Sequence, residues 1–159
     1  MIEVALTAMM FLGSADPCST PVCSCAVSAN ISKGVQEAFH ETTAIFVGQA
    51  LHTSDTVVWR RAARGRHLDS VRLNLVTLKV QRAWKGANAD TLQVVSGPGT
   101  CEYPFTDGES YVVFAYAGTG ADASTEPALS TSKCSYTTEL FKADTILAAL
   151  GPSRRDQGP

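Results

Sequence analysis

The cysteines restrict the fold of this chain more than any other feature of its sequence. Cys23 and Cys25 are separated by one residue, whereas Cys101 and Cys134 lie far along the chain. In an exported protein this spread favours two long-range disulfides that tie the N-terminal segment to the body of one domain. Each bridge closes a loop of about 75 to 110 residues, for which the chain-entropy model gives about 4 to 5 kcal/mol. Cys18 has no partner in this scheme.

A zinc site is the competing interpretation of the cysteines. Structural zinc sites combine cysteines and histidines at short, regular spacings. The three histidines, His40, His52 and His67, are scattered along the chain and none has such a spacing to a cysteine. We therefore expect disulfides, with no metal bound by the free protein and no cofactor.

The composition is that of a globular protein with a buried core. Of the 159 residues, 45% are hydrophobic and 18% are charged, which excludes disordered and fibrous classes. The formal net charge is −2. Because nucleic acids and anionic membranes attract strongly positive surfaces, this charge gives no reason to expect either partner.

The N-terminal residues favour export. The apolar run at residues 4–12 is too short to span a bilayer and is followed by the small residues Gly13, Ser14 and Ala15. We predict a signal peptide at residues 1–15, an extension at residues 16–22 and a secreted protein, extracellular or periplasmic. No later stretch is long and apolar enough to cross a membrane.

The body of the chain is predicted to be mainly β-structure. In the second apolar run the parity changes midway, from Leu73 and Leu75 to Val76 and Leu78. This change predicts a bulge of the kind that lets one strand serve both halves of a small barrel. The polar, charged residues 52–70 predict a loop before that run. The predicted strands are residues 43–51, 71–84, 91–96, 111–116 and 128–131.

Two helices flank the predicted strands. Residues 32–40 begin with a capping residue, Ser32, and carry apolar residues at helical spacing. Residues 140–150 repeat apolar residues every three or four positions, which predicts an amphipathic helix of three to four turns packed on the barrel. We expect the domain to span residues 23–150 and residues 151–159 to form a disordered tail.

The sequence contains no recognisable catalytic motif. A glycine-rich phosphate loop, a nucleophile elbow and a zinc-binding helix are all absent, and the carboxylates are dispersed. Histidines stand beside charged residues, as in His40-Glu41, but adjacency in sequence does not make a catalytic pair. We therefore interpret them as solvated side chains and expect no catalytic residues and no enzymatic activity.

One cluster of basic residues is a candidate site for binding a partner. Residues 60–67 contain five basic side chains and no acid. They are typical of a surface that binds a polyanion or an acidic protein, or of a solvated loop between two strands. The candidate partner-binding residues are Trp59, Arg60, Arg61, Arg64 and Arg66. The alternative for the tryptophan is packing against the barrel.

Five motifs in order carry a resemblance to a known family. They are C-S-C at 23–25, T-A-I-F-V-G at 43–48, V-x-R-A-W-K-G at 80–86, Cys101 followed by F-x-x-G-x-x-Y-V-V at 105–113, and S-T-x-x-C-S at 130–135. Together they resemble the N-terminal domain of the tissue inhibitor of metalloproteinases family. The resemblance covers residues 23–150, and its specificity comes from the set, because each motif alone is weak.

The resemblance implies a fold and a pairing of the cysteines. The implied fold is a five-stranded OB-fold barrel, the netrin-like module, with a short N-terminal helix and a C-terminal amphipathic helix packed on it. The implied disulfides are Cys23–Cys101 and Cys25–Cys134. Cys18 has no counterpart in the family, and the third disulfide of the family has no counterpart in this sequence.

The resemblance also implies that this protein is an inhibitor whose partner is a zinc metallopeptidase. We expect this secreted protein to be a monomer. In the family the first cysteine is the N-terminal residue, and it chelates the zinc of the enzyme through its neutral amino group and its carbonyl. Here that residue is Cys23, within the segment Cys23-Ser24-Cys25, and Ser24 would enter the specificity pocket.

The point of N-terminal cleavage separates two hypotheses. Cleavage after Val22 exposes the amine of Cys23, whereas cleavage after Ala15 leaves seven residues, Asp16 to Val22, that block chelation. With the extension in place, the alternative is a secreted netrin-like interaction module that binds a protein or a polyanion without inhibiting a protease.

Overall fold

The structure is a computed structural model, and it describes residues 23–26, 28–61, 68–97, 99–118 and 129–154. For residues 58–61, 68, 69 and 71 only the backbone is described. The strands are β1 (Ala44–Arg61), β2 (Leu68–Lys85), β3 (Thr91–Ser96), β4 (Ser110–Ala117), β5 (Leu129–Thr131) and β6 (Thr138–Glu139). The helices are α1 (Ile31–Glu41) and α2 (Asp144–Leu150). The predicted signal peptide and extension lie outside the described residues.

Five of the strands close a barrel. β1 pairs antiparallel with β2, and β2 with β3. β3 then pairs parallel with β5, and β5 pairs antiparallel with β4, which returns to β1. The short β6 extends the sheet beside β4. The prediction of a mainly β, OB-fold-like barrel of five strands with two helices is confirmed.

Within the barrel, residues 44–48 of β1 and residues 111–115 of β4 are buried on both faces. Phe46 of β1 and Val113 of β4 point into the barrel, whereas Ile45 and Phe114 pack against the helices on its outside. A strand that is buried on both faces needs no polar alternation, which explains the continuous apolar runs in both strands. The helical layer contributes Val35 of α1, which is buried in the same outer cluster.

The parity change in β2 divides its apolar residues between the two faces of the strand, but the predicted bulge does not lie there, because Leu75 and Val76 pair without a register shift. Leu73 packs with Val95 in a small separate cluster, whereas Val76 and Leu78 point into the barrel. The pairing of β1 with β2 shifts register at three places between Ile45 and His52. These bulges let the long strands coil around the core.

The prediction of a loop at residues 52–70 is wrong, because β1 and β2 continue through most of this range as a two-stranded ribbon. The two strands remain paired as far as Arg61 and Leu68. Residues 51–57 are exposed or half-buried, and Asp55 and Arg72 form an exposed ion pair at 3.7 Å. A ribbon with solvent on both faces lacks apolar alternation, so its sequence resembles that of a loop.

Both helices differ in detail from their predictions. α1 begins after Asn30, whose side chain accepts a hydrogen bond from the Lys33 N–H at 3.1 Å, so the cap is not Ser32. The C-terminal helix is shorter than expected, because a 3-10 turn at Leu140–Lys142 precedes α2. In the described part of the chain, no helix has both the length and the apolar character needed to cross a bilayer.

The packed part of the chain continues beyond the predicted domain end. The Trp84 indole donates a hydrogen bond to the Gly151 carbonyl at 2.8 Å, and Ser153 is buried. The first four residues of the expected tail, through Arg154, therefore belong to the domain. Residues 155–159 lie outside the described residues.

Candidate functional site

Two disulfides fix the beginning of the described chain to the barrel. The sulfur atoms of Cys23 and Cys101 are 2.09 Å apart, and those of Cys25 and Cys134 are 2.00 Å apart. This is the pairing that the family resemblance implies. The bridges span 78 and 109 residues, so they join parts of the chain that are distant in sequence.

The two disulfides are in contact with one another. Cys23 Sγ lies 3.5 Å from Cys134 Sγ and 3.9 Å from Cys25 Sγ. The segment that carries Cys23 and Cys25 therefore crosses the junction of two loops. One loop follows β3 and contains Cys101, and the other connects β5 to β6 and contains Cys134.

The segment has one side toward the loops and one side toward solvent. Cys23 and Cys25 are half-buried, whereas Ser24 and Ala26 are exposed. This alternation is that of an extended backbone. We call residues 23–26 the N-terminal ridge; the Ser24 side chain is on its exposed side.

A network of hydroxyl groups supports the loop that carries Cys134. Thr131 Oγ1 lies 2.8 Å from Thr137 Oγ1 and 2.9 Å from Ser135 Oγ. Thr131 also donates to the Phe114 carbonyl at 3.0 Å, and the Phe114 N–H donates to Thr137 Oγ1 at 2.9 Å. Thr131 and Thr137 are buried, so these hydrogen bonds satisfy groups that water does not reach.

The loop that carries Cys101 is held by polar contacts on both sides. The Asn74 amide of β2 donates to the Glu102 carboxylate at 2.9 Å. The Lys133 N–H donates to the Cys101 carbonyl at 2.9 Å, and its ammonium group donates to the Thr100 carbonyl at 3.2 Å. Lys133 therefore joins the two loops directly, beside the disulfides.

Aromatic packing lies beneath the loop of Cys101. The rings of Tyr103 and Phe105 have centroids 4.9 Å apart, and Phe105 meets Tyr111 edge-on at 4.9 Å. Burial, with Glu139 close by, raises the pKa of Tyr103 well above its usual value, so its phenol stays neutral. The ridge thus rests on loops that are anchored in the barrel core.

The oxidised site has limited chemistry of its own. Cys23, Cys101 and Cys134 have sulfur atoms within 4.8 Å of one another, but all three are in disulfides. A nucleophile or a zinc ligand needs a thiolate, which a disulfide lacks. The arrangement is therefore suited to holding an exposed segment of backbone in one conformation.

The other predicted site residues lie outside the ridge in the sequence, at the end of β1 and in the segment that follows it. Trp59, Arg60 and Arg61 end β1, where only the backbone is described, and Arg64 and Arg66 lie outside the described residues. Of the histidines, His40 and His52 are exposed and His67 lies outside the described residues.

Sequence reasoning missed the groups that hold the ridge in place. The contacts of Asn74 with Glu102, and of Thr131 with Thr137, join residues that become neighbours only when the chain folds. The cluster of hydroxyl residues around Cys134, T-S-K-C-S-Y-T-T at 131–138, is the one signal that could have indicated a hydrogen-bonded loop.

Comparisons with known proteins assign no family to this chain. No model of a known protein family matches it, and a search of curated protein sequences also finds no match. The fold and the site define an OB-fold-like barrel whose N-terminal ridge is attached by two disulfides.

Proposed function

We propose that this protein is a secreted inhibitor of zinc metalloendopeptidases that binds the active site of its target through the N-terminal ridge. The observation that carries the proposal is the double attachment of Cys23 and Cys25 to two neighbouring loops, with Ser24 exposed between them. The motifs that resemble the tissue inhibitor of metalloproteinases family support the same assignment.

In the proposed mechanism the inhibitory form begins at Cys23. Its neutral α-amine and its carbonyl oxygen chelate the zinc of the target enzyme, and the Ser24 side chain enters the neighbouring pocket. The disulfides support this role because they fix the ridge before binding. A preformed ridge loses little conformational entropy in the complex, which favours tight binding.

The proposal is tested with two oxidised proteins that differ only at the N-terminus. One begins at Cys23 and the other at Asp16, and both are assayed against several zinc endopeptidases with a fluorogenic peptide. We expect the first to inhibit at least one enzyme about 100-fold more strongly than the second, since the extension blocks chelation. Equal inhibition by both, or none by either, would exclude chelation by Cys23.

A second candidate function is the binding of a polyanion or an acidic protein without protease inhibition. The observation that favours it is the two-stranded ribbon of β1 and β2, which remains paired as far as Arg61 and Leu68. The basic residues 60–67 comprise the last two residues of β1 and the segment that leads to the start of β2. The ribbon would therefore present a positive charge cluster separate from the five-stranded barrel.

Retention on a heparin column distinguishes this candidate. We expect replacement of Arg60, Arg61, Arg64 and Arg66 by glutamine to lower the salt concentration of elution. The matched control replaces four exposed basic residues elsewhere, Lys33, Lys79, Lys142 and Arg154. If both quadruple variants elute alike, net charge alone governs retention and the cluster is not a binding site.

A further inference from the structure

The four cysteine sulfurs of the site converge more closely than two separate disulfides require. Besides the two bonds, Cys23 Sγ is 3.5 Å from Cys134 Sγ and 3.9 Å from Cys25 Sγ. The sulfurs of Cys23, Cys101 and Cys134 all lie within 4.8 Å of one another. Three potential thiolates are therefore mutually close, and the fourth, Cys25, meets this group through Cys23 and through its bond to Cys134.

Two of the non-bonded distances are close to those of a tetrahedral zinc centre. With Zn–S bonds of about 2.3 Å, neighbouring sulfurs of a tetrahedron lie about 3.8 Å apart. The distances of 3.5 and 3.9 Å in this site are close to that value. After reduction, each bonded pair needs to separate by less than about 2 Å. The Cys25 sulfur, which lies outside the group of three, also has to join it to complete the tetrahedron.

We propose that the fully reduced chain binds one zinc ion through the thiolates of Cys23, Cys25, Cys101 and Cys134. Each disulfide accepts two electrons and two protons from a dithiol reductant, which is itself oxidised to a disulfide. The four resulting thiols then release their protons to solvent as Zn²⁺ forms four Zn–S bonds. This inference is independent of protease inhibition, which uses the oxidised chain.

Contacts other than the disulfides join the ligand loops in the folded chain. The Lys133 N–H donates to the Cys101 carbonyl, and the hydroxyl network of Thr131, Ser135 and Thr137 holds the loop of Cys134. None of these bonds requires oxidised sulfur. The tetrathiolate centre carries a formal charge of −2, and the Lys133 ammonium, which donates to the carbonyl of Thr100 next to Cys101, supplies a positive charge on the same loops.

The site is open to reductant and metal from solvent. Cys134 is exposed, and the other three cysteines are half-buried. The Cys25–Cys134 bond is therefore within reach of a thiolate reductant. Zinc binding would replace the loop closure that the disulfides provide, so the metal restores folded structure to the reduced chain.

Cobalt titration tests the proposal, because Co²⁺ in a tetrahedral thiolate site absorbs visible light. The full chain carries Cys18→Ser, which removes the fifth thiol, and it is reduced with a phosphine under nitrogen. We expect saturation at one equivalent of Co²⁺, displacement by Zn²⁺ and recovery of the far-ultraviolet circular dichroism of the oxidised protein. The oxidised chain is expected to bind none.

Two further variants keep the result interpretable. Cys134→Ser is expected to lose saturation at one equivalent, whereas Ser24→Ala, which alters a residue between two ligands, is expected to bind as the parent does. A reduced chain that binds no Co²⁺, or one whose binding survives Cys134→Ser unchanged, overturns the proposal. Recovery of structure on reduction without any metal overturns the claim that zinc replaces the disulfides.

Discussion

At the residue scale, the ridge is defined by which side chains point to solvent. Ser24 is exposed between two half-buried cysteines, so its side chain is free to contact a partner while its backbone is fixed. In the proposed complex this side chain selects the target through the size and charge of the pocket that it enters. A change at this position should therefore alter binding without altering stability.

Replacement of Ser24 tests whether binding can change while stability stays the same. In the protein that begins at Cys23, we expect Ser24→Arg to change the inhibition constant by about tenfold or more, because an inhibitor residue in a specificity pocket meets steric and charge constraints. The melting temperature should stay within about 2 °C. Glu37→Arg, at an exposed position on α1, is the matched control and should leave inhibition unchanged. Equal effects of the two changes would contradict the assigned role of Ser24.

We expect the buried hydroxyls of the loop that carries Cys134 to contribute to stability. Thr131→Val keeps the shape of the side chain but removes hydrogen bonds to Phe114, Ser135 and Thr137. We expect the free energy of unfolding to fall by about 1 to 3 kcal/mol in a urea titration. Thr91→Val, at an exposed strand position, should change it by less than about 0.5 kcal/mol. If Thr131→Val left the free energy of unfolding unchanged, the hydroxyl network would not contribute to stability.

Gly34 shows how the environment of a residue can reverse the usual effect of its substitution. A Cβ atom at this position of α1 would lie 1.8 Å from Tyr136 Oη and 2.9 Å from Ser28 Cβ. In a solvated helix, alanine is about 1 kcal/mol more favourable than glycine. Here the methyl group requires Tyr136 to move out of its packing with Phe114.

We therefore expect Gly34→Ala to destabilise the protein by about 1 to 3 kcal/mol. In a Tyr136→Leu background the same substitution should cost less stability, because the obstructing ring is gone and only the contact with Ser28 remains. The double-mutant cycle, measured by thermal or urea unfolding, isolates this contact. Stabilisation by Gly34→Ala in the parent would show that the Tyr136 ring moves aside at no cost in stability.

At the element scale, the sequence predicted the barrel strands better than the ribbon. β3 was predicted with its observed bounds, Thr91–Ser96, since turn residues flank a compact apolar run. The outer half of the ribbon was missed because its polar residues follow no apolar alternation. The split of the last helix at Ala143 was also missed, since a 3-10 turn and an α-helix share the same apolar spacing there.

The site was predictable only in part, for a physical reason. The cysteines are recognisable from their spacing and from the family motifs, because a disulfide needs particular residues at particular places. The hydrogen bonds of Asn74, Thr131 and Lys133 depend on which loops become neighbours when the barrel closes. Such contacts leave no periodic pattern in a single sequence.

The ribbon is expected to be dispensable for the barrel. Residues 58–71 can be replaced by Asn-Gly, which suits a two-residue hairpin between the paired positions Val57 and Arg72. An isolated two-stranded ribbon is only marginally stable, so we expect the free energy of unfolding to change by less than about 1 kcal/mol. The shortened protein should keep inhibition, because the ridge and both disulfides are retained. Unfolding of the shortened chain would show that the ribbon stabilises the barrel.

At the scale of the whole molecule, two disulfides close most of the chain into loops. The bridge between Cys25 and Cys134 spans 109 residues, for which the chain-entropy model gives about 4 to 5 kcal/mol. Small domains have a net stability of only about 5 to 15 kcal/mol. Loss of one bridge therefore removes a large share of the stability.

We expect the double substitution Cys25→Ser, Cys134→Ser to lower the free energy of unfolding by about 3 to 5 kcal/mol, with metal chelator present throughout. Cys18→Ser, outside both bridges, should change it by less than about 0.5 kcal/mol. Urea titrations of the three proteins provide the comparison. A double variant as stable as the parent would contradict the role assigned to this bridge.

The central claim is that a free amine at Cys23 inhibits a zinc endopeptidase. The most direct test compares the oxidised protein that begins at Cys23 with the same protein carrying one additional alanine in front. Both keep the barrel, the disulfides and Ser24, so only the position of the amine differs. We expect the inhibition constant to rise by about 100-fold or more with the added residue. Equal inhibition by the two proteins would contradict chelation by Cys23.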